Sequence, residues 1–171
     1  ISLPVNGLTG SAQPVMGFNY GAGEYKRVKQ AIVFMSVVSV IYTTAMWSLV
    51  HGFPGFFIRI FNHEGDLLAA GIPAMRIYYF GFFMMSLQFA GQAVFVALGK
   101  SKNAVFFSVF RKVIIVIPLI ALLPGFFHLG VNGIFMAEPI SNFAGGLACF
   151  STMLITVWPE LNGKKRNKKN A

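Results

Sequence analysis

Five long apolar runs, separated by shorter polar connections, set the pattern of this chain. They lie near 1–20, 31–53, 78–99, 104–127 and 131–158. An α-helix needs about 20 mostly apolar residues to cross a hydrocarbon core, and each run is long enough. The pattern predicts an all-α fold: a polytopic transmembrane helical bundle of about five spanning helices over residues 1–161. The first run is softer than the rest, because Asn6, Gln13 and Asn19 interrupt it. A helix inside a bundle tolerates such residues better than a lone anchor does. The connection 54–77 reads FPGFFIRIFN and then DLLAAGIPAMRI, half apolar with charges spaced between. It predicts a short helix in the outer interface that leads into the third span.

The connections differ in charge. Lys26, Arg27 and Lys29 follow the first run, Lys100 and Lys102 follow the third, and the tail 162–171 reads NGKKRNKKNA. The connection 54–77 balances Arg59 and Arg76 against Glu64 and Asp66, and 128–130 holds only His128. Basic connections thus alternate with neutral ones. The positive-inside rule then places the basic connections and the C-terminus in the cytoplasm, for a chain in the plasma (inner) membrane. The tail is expected to rest near anionic lipid.

Composition supports a membrane setting. Hydrophobic residues make up 56% and charged residues 11%, against about 25% charged in soluble domains. The net charge of +9 sits in clusters between apolar runs, not on one face, so membrane lipid and not nucleic acid is the expected partner. The lone Cys149 cannot form an internal disulfide and reads as packing filler. His51, His63 and His128 share no helical spacing, so no metal site is expected. The chain holds no Walker A loop, Ser-His-Asp set, HExxH or GxSxG, which argues against an enzyme and against a bound cofactor.

Polar residues inside the spans are the candidate chemistry. Arg111 and Lys112 lie about two turns into their span. Two readings stay open: snorkelling to the interface, or a pocket or ion-pair role. Glu138 is the one acid within a spanning run, and Asn142 follows it by one turn on the same face. Glu138 either titrates with a proton gradient or faces water in a cavity. Gln88 and Gln92 share a helix face, and Gln13 adds a third amide. Amides in lipid face the bundle interior, as helix–helix contacts or as a substrate path. Pro14, Pro118 and Pro139 fall inside spans, where each frees a carbonyl and kinks its helix. The 19 phenylalanines and 8 methionines suit a cavity for flat lipophilic cations, although most must face lipid or neighbours.

Several stretches together are similar to one family. QPVMGFNYGAG, carried by Gln13, Pro14, Gly17, Asn19, Gly21 and Ala22, resembles the Q-P-x-x-G-x-N-x-G-A signature of the MATE (multidrug and toxic compound extrusion) transporters. ALGKSKNA at 97–104 looks like the loop after that family's tenth helix. Arg111 with Pro118, and LLPGFFHLGVNGIFMAEPISN at 122–142, look like its eleventh and twelfth helices. The resemblance implies a twelve-helix transporter of two lobes, with this chain as helices eight to twelve of the second. It also implies export of organic cations or amphipathic compounds in exchange for sodium or protons. The chain starts at Ile1 and reads as the C-terminal part of a longer protein, its N-terminal lobe being the missing partner. Some relatives use a carboxylate in the tenth helix for coupling, whereas 78–99 offers only Gln88 and Gln92. The common P-I-A-D pattern stands here as Pro139, Ile140, Ser141, Asn142. Coupling is therefore expected from acids in the absent lobe or from Glu138. The alternatives are a lipid-linked saccharide flippase, which needs a more cationic cavity, or a membrane protein that transports nothing.

Overall fold

The structure is a computed structural model, and it describes residues 1–60, 65–126 and 131–163. Glu64, His63, His128, the connection 128–130 and the basic tail from 164 lie outside the described residues. Every described element is helical. The all-α membrane bundle expected from the apolar runs is the fold found. α1 (Ser2–Gly21) and α2 (Tyr25–Gly52) form a hairpin, followed by the short α3 (Pro54–Arg59), α4 (Gly65–Tyr79) and α5 (Met84–Ala97). α6 (Ser101–Val109) passes through a π-helical turn, Phe110–Val116, into α7 (Ile117–Phe126), and α8 (Val131–Leu161) closes the chain.

The α1–α2 turn is fixed by backbone geometry. Gly23 sits at φ +78, a left-handed conformation that costs glycine little. Its N–H donates to the Tyr20 carbonyl at 3.1 Å, and the Glu24 N–H donates to Asn19 at 2.9 Å. That pair of bonds satisfies carbonyls the helix would otherwise leave open. Asn19 donates its side-chain amide to the Val15 carbonyl at 2.8 Å, so it belongs to the last turns of α1.

Length and apolarity suit three single-helix crossings: Tyr25–Gly52, Ser101–Gly125 and Asn132–Leu161. A fourth is a broken pair, Leu68–Tyr79 with Met84–Ala97, bent by 44°. α1 has the length of a span, 20 residues, but is not among those apolar enough to cross, because Asn6, Gln13 and Asn19 dilute it. The predicted uninterrupted span 78–99 therefore differs from the structure. The chain breaks at 80–83, where Gly81 takes φ +73 and the Phe143 ring fills the place a Cβ would occupy. Only α3 fits the predicted short interfacial helix. α4 packs on α8 and forms the first half of the broken crossing.

The core lies toward the end where α1, α5 and α8 finish and where α2 and α6 start. Met16, Ile32, Met35, Val94, Phe95, Phe107, Met153 and Val157 are buried together there. Phe95 and Phe107 stack with centroids 6.0 Å apart. Outward, Leu3, Phe18, Phe34, Ile41 and Ile155 are exposed, a surface suited to acyl chains rather than water. At the core end, Glu160 accepts from the Tyr20 hydroxyl and pairs with Lys100, while Lys29 donates to Asn162 and lies 5.8 Å from the Trp158 ring centroid. These contacts gather two of the basic connections and the end of α8 at one end of the bundle.

Candidate functional site

The site begins with an irregular helix. The Ile117 N–H donates to the carbonyl of Lys112, five residues back, which is the π pattern. Pro118 follows directly. It has no N–H for the Ile114 carbonyl, and its ring crowds that carbonyl. A wider turn just before it relieves the crowding, and such turns are frequent at functional sites. Pro118 thus acts through a π turn instead of a simple kink. Pro14 and Pro139 lie inside α1 and α8 without interrupting either helix.

Two adjacent cations leave this turn in different environments. Lys112 is exposed, as snorkelling would have it, and Arg111 is 4% exposed. The Arg111 guanidinium uses all three of its nitrogens. Nε donates to Ser141 Oγ at 3.3 Å and Nη1 to Gln88 Oε1 at 3.2 Å. Nη2 donates to Glu138 Oε1 and to Asn142 Oδ1, both at 2.5 Å. Glu138, Ser141 and Asn142 stand at i, i+3 and i+4 of α8, so one helix face presents all three. The Ser141 hydroxyl donates to the Glu138 carbonyl at 2.8 Å. Gly145, one turn further, makes room: a Cβ there would lie 3.2 Å from Arg111 Cγ and Cδ and from Gln88 Oε1. Lys112 Nζ lies 3.8 Å from Glu138 Oε1 on the exposed side. Of the two readings of Arg111, the structure shows the buried ion pair. That pair joins the π turn to α8, with α5 supplying Gln88.

One helical turn along α5, a second polar grouping opens. A cleft of about 340 Å³ between α1, α5 and α6 is lined by Asn6, Thr9, Gln13, Phe89, Gln92 and Ser108, among others. The Gln92 amide donates to Ser108 Oγ at 2.9 Å and to the Ala104 carbonyl at 3.4 Å. Replacing Gln92 by leucine is expected to lower stability by about 1 kcal/mol, the net worth of such a bond. Thermal unfolding of the detergent-solubilised protein measures it, and an unchanged midpoint would show that the bond is spare.

The structure therefore divides the residues singled out by sequence. Gln88, Arg111, Glu138 and Asn142 meet in one cluster, and Gln13 and Gln92 line one cleft. Sequence reasoning missed Asn6, Thr9 and Ser108. Asn6, Thr9 and Gln13 are spaced i, i+3, i+7, a single helix face that a search for polar stripes would have found. Ser108 precedes Arg111 by one turn. Cys149 is buried with its thiol 3.8 Å from the Gln88 carbonyl, in keeping with a packing role. Among the described residues, no group of three or more His, Cys, Asp or Glu is placed to hold a metal.

The apolar bundle thus holds a buried arginine network and, beside it, a polar cleft. The sequence profile of the MatE family matches residues 1–122. The chain belongs to the MatE family. It is an integral membrane protein of a transporter family. A curated relative, the FAD transporter of Shewanella oneidensis, is 24% identical over 146 residues, 85% of this chain and 32% of the relative. Among solved structures, the MATE multidrug transporter DinF-BH is similar with TM-score 0.83 and 28% identity, over 91% of this chain and 34% of that one. The outward-facing conformation of a multidrug resistance MATE family transporter of the MOP superfamily gives TM-score 0.85 at 15% identity, over 96% and 36%. At that identity the likeness shows the fold. This MatE chain spans about a third of the length of the relatives it matches.

Proposed function

We propose that this chain forms part of a lobe of a secondary active efflux transporter, which exports amphipathic compounds, organic cations included, by alternating access against sodium or protons. The family match over 1–122 carries the reading. A lobe with a polar cleft between otherwise apolar helices supports it, because alternating access needs a cargo path inside a rigid bundle. Ion and cargo must bind the two states with different strength for the exchange to run. The basic connections gathered at one end of the bundle favour a plasma (inner) membrane protein with its C-terminus in the cytoplasm.

A second cargo reading has its own support. The Shewanella relative is a FAD transporter, and the intramembrane charges here, Arg76, Arg111 and Lys112 against Glu138, leave an excess of two positive charges. A flavin nucleotide is the cargo that this reading assigns. Inverted vesicles carrying the full-length transporter to which this chain belongs separate the two. Movement of a lipophilic cationic dye, a rhodamine, several-fold faster than in empty vesicles and dependent on a sodium or proton gradient, is expected for the first. Movement of FAD but not of the dye selects the second. Movement of neither sinks the transporter reading.

A further inference from the structure

Four side-chain oxygens from two helices converge on Arg111: Gln88 Oε1 of α5, and Glu138 Oε1, Ser141 Oγ and Asn142 Oδ1 of α8, at 2.5–3.3 Å. One is a carboxylate oxygen and three are neutral. All-oxygen sets are what hard cations take, and a single negative charge matches a monovalent one. The cage holds one positive charge already, and the chain itself supplies it. We propose that Arg111 is a tethered cation filling this cage: no free sodium ion binds there in the native protein, and removing the guanidinium exposes a sodium site made of the same four oxygens.

The orientation of Asn142 supports a cage organised around a cation. Its Oδ1 faces the guanidinium, while its buried Nδ2 has no partner among the described residues. A buried donor left unpaired is costly. The amide holds that orientation because the other one would set N–H groups against N–H groups. Gln88 likewise presents its oxygen. The filling is permanent with respect to pH, since arginine stays protonated at any pH a protein survives, so a proton cannot take its place. Lys112, 3.8 Å from Glu138, adds a second positive charge on the exposed side and repels an entering cation. The coupling ion of the transport cycle then binds outside this cage. The proposal itself concerns ion binding and is read without transport.

The test is sodium binding to the purified protein in detergent, with choline replacing sodium at constant ionic strength. Arg111→Ala is expected to bind one sodium ion per chain more than the native protein, measured with radioactive sodium. Its thermal midpoint is expected to rise by about 5 °C from choline to saturating sodium, beyond any rise in the native protein. Arg111→Lys, which keeps a tethered charge, and Arg111→Ala with Glu138→Gln, which removes the anion, are expected to show neither gain. A folded Arg111→Ala protein that takes up no extra sodium overturns the proposal. A second measurement stands whether or not that variant folds. Glu138→Gln in the native background, which keeps an oxygen for Arg111, is expected to leave the number of bound sodium ions unchanged. Loss of one sodium ion on that change shows that Glu138 already binds it, and the tethered-cation assignment fails.

Discussion

Replacing Glu138 by alanine is expected to destabilise the bundle by about 3–5 kcal/mol, the cost of stranding one charge of a buried pair. Among the described residues the acid is the guanidinium's one charged partner: Arg111 and Glu138 side chains are 5% and 16% exposed. With Glu138 gone, Gln88, Ser141 and Asn142 remain as acceptors. None carries charge, and arginine cannot shed its proton to relieve the strain. Lys112, next in sequence, makes the uncompensated field worse. Replacing both members, Glu138→Ala with Arg111→Met, removes the charge problem and is expected to recover more than half of the loss. The comparison isolates the pair from the packing around it. Denaturant or thermal unfolding of the native protein, Glu138→Ala, Arg111→Met and the double variant in one detergent measures it. A single-variant cost under about 1 kcal/mol would mean that water reaches the pair and that it behaves as an exposed salt bridge.

How much of this was legible in the sequence follows from what each feature depends on. Apolar runs and their basic flanks are local, and they gave the helices and the bundle. The family signature at Gln13, Pro14 and Asn19 gave the class. The cluster around Arg111 was only half visible. Spacing on α8 put Glu138 and Asn142 on one face, and spacing on α5 paired Gln88 with Gln92. Which of the two glutamines meets Arg111 depends on the crossing of α5, the π turn and α8, and no one-dimensional period encodes a crossing. The break at Gly81 was hidden for a related reason. Phe80, Phe82 and Phe83 keep the hydropathy high through a backbone turn, so an average over residues sees one run where the chain makes two helices. The polarity of α1 was seen, with Asn6 and Gln13 read as interruptions, yet Thr9 between them, and the stripe the three form along a cleft wall, were missed.

Gly146→Leu is expected to prevent the bundle from assembling, and Gly146→Ala to cost about 2–3 kcal/mol, the upper part of the range for overpacking. Each of α5 and α8 turns a glycine toward the other's backbone. A Cβ on Gly146 would stand 2.5 Å from the Met84 carbonyl oxygen. A Cβ on Gly91 would stand 2.9 Å from Cys149 Sγ and 3.3 Å from the Cys149 carbonyl oxygen. Small residues let membrane helices approach until backbone meets side chain, and a backbone oxygen cannot swing aside as a side chain can. The consequence reaches the site. α5 carries Gln88, while α8 carries Glu138, Ser141 and Asn142, so forcing the two helices apart lengthens the bonds that hold Arg111. Gly146→Ala is therefore expected to weaken the interaction between Arg111 and Gln88 as well as the packing. A double-variant cycle on those two residues, run with and without the substitution, reads that change. Gly10→Ala is the matched control. A Cβ there meets nothing within 4 Å, and alanine favours a helix over glycine by up to about 1 kcal/mol, so that variant is expected to hold or gain stability. Equal losses from Gly146→Ala and Gly10→Ala would place the effect in helix propensity and remove the α5–α8 contact as its cause.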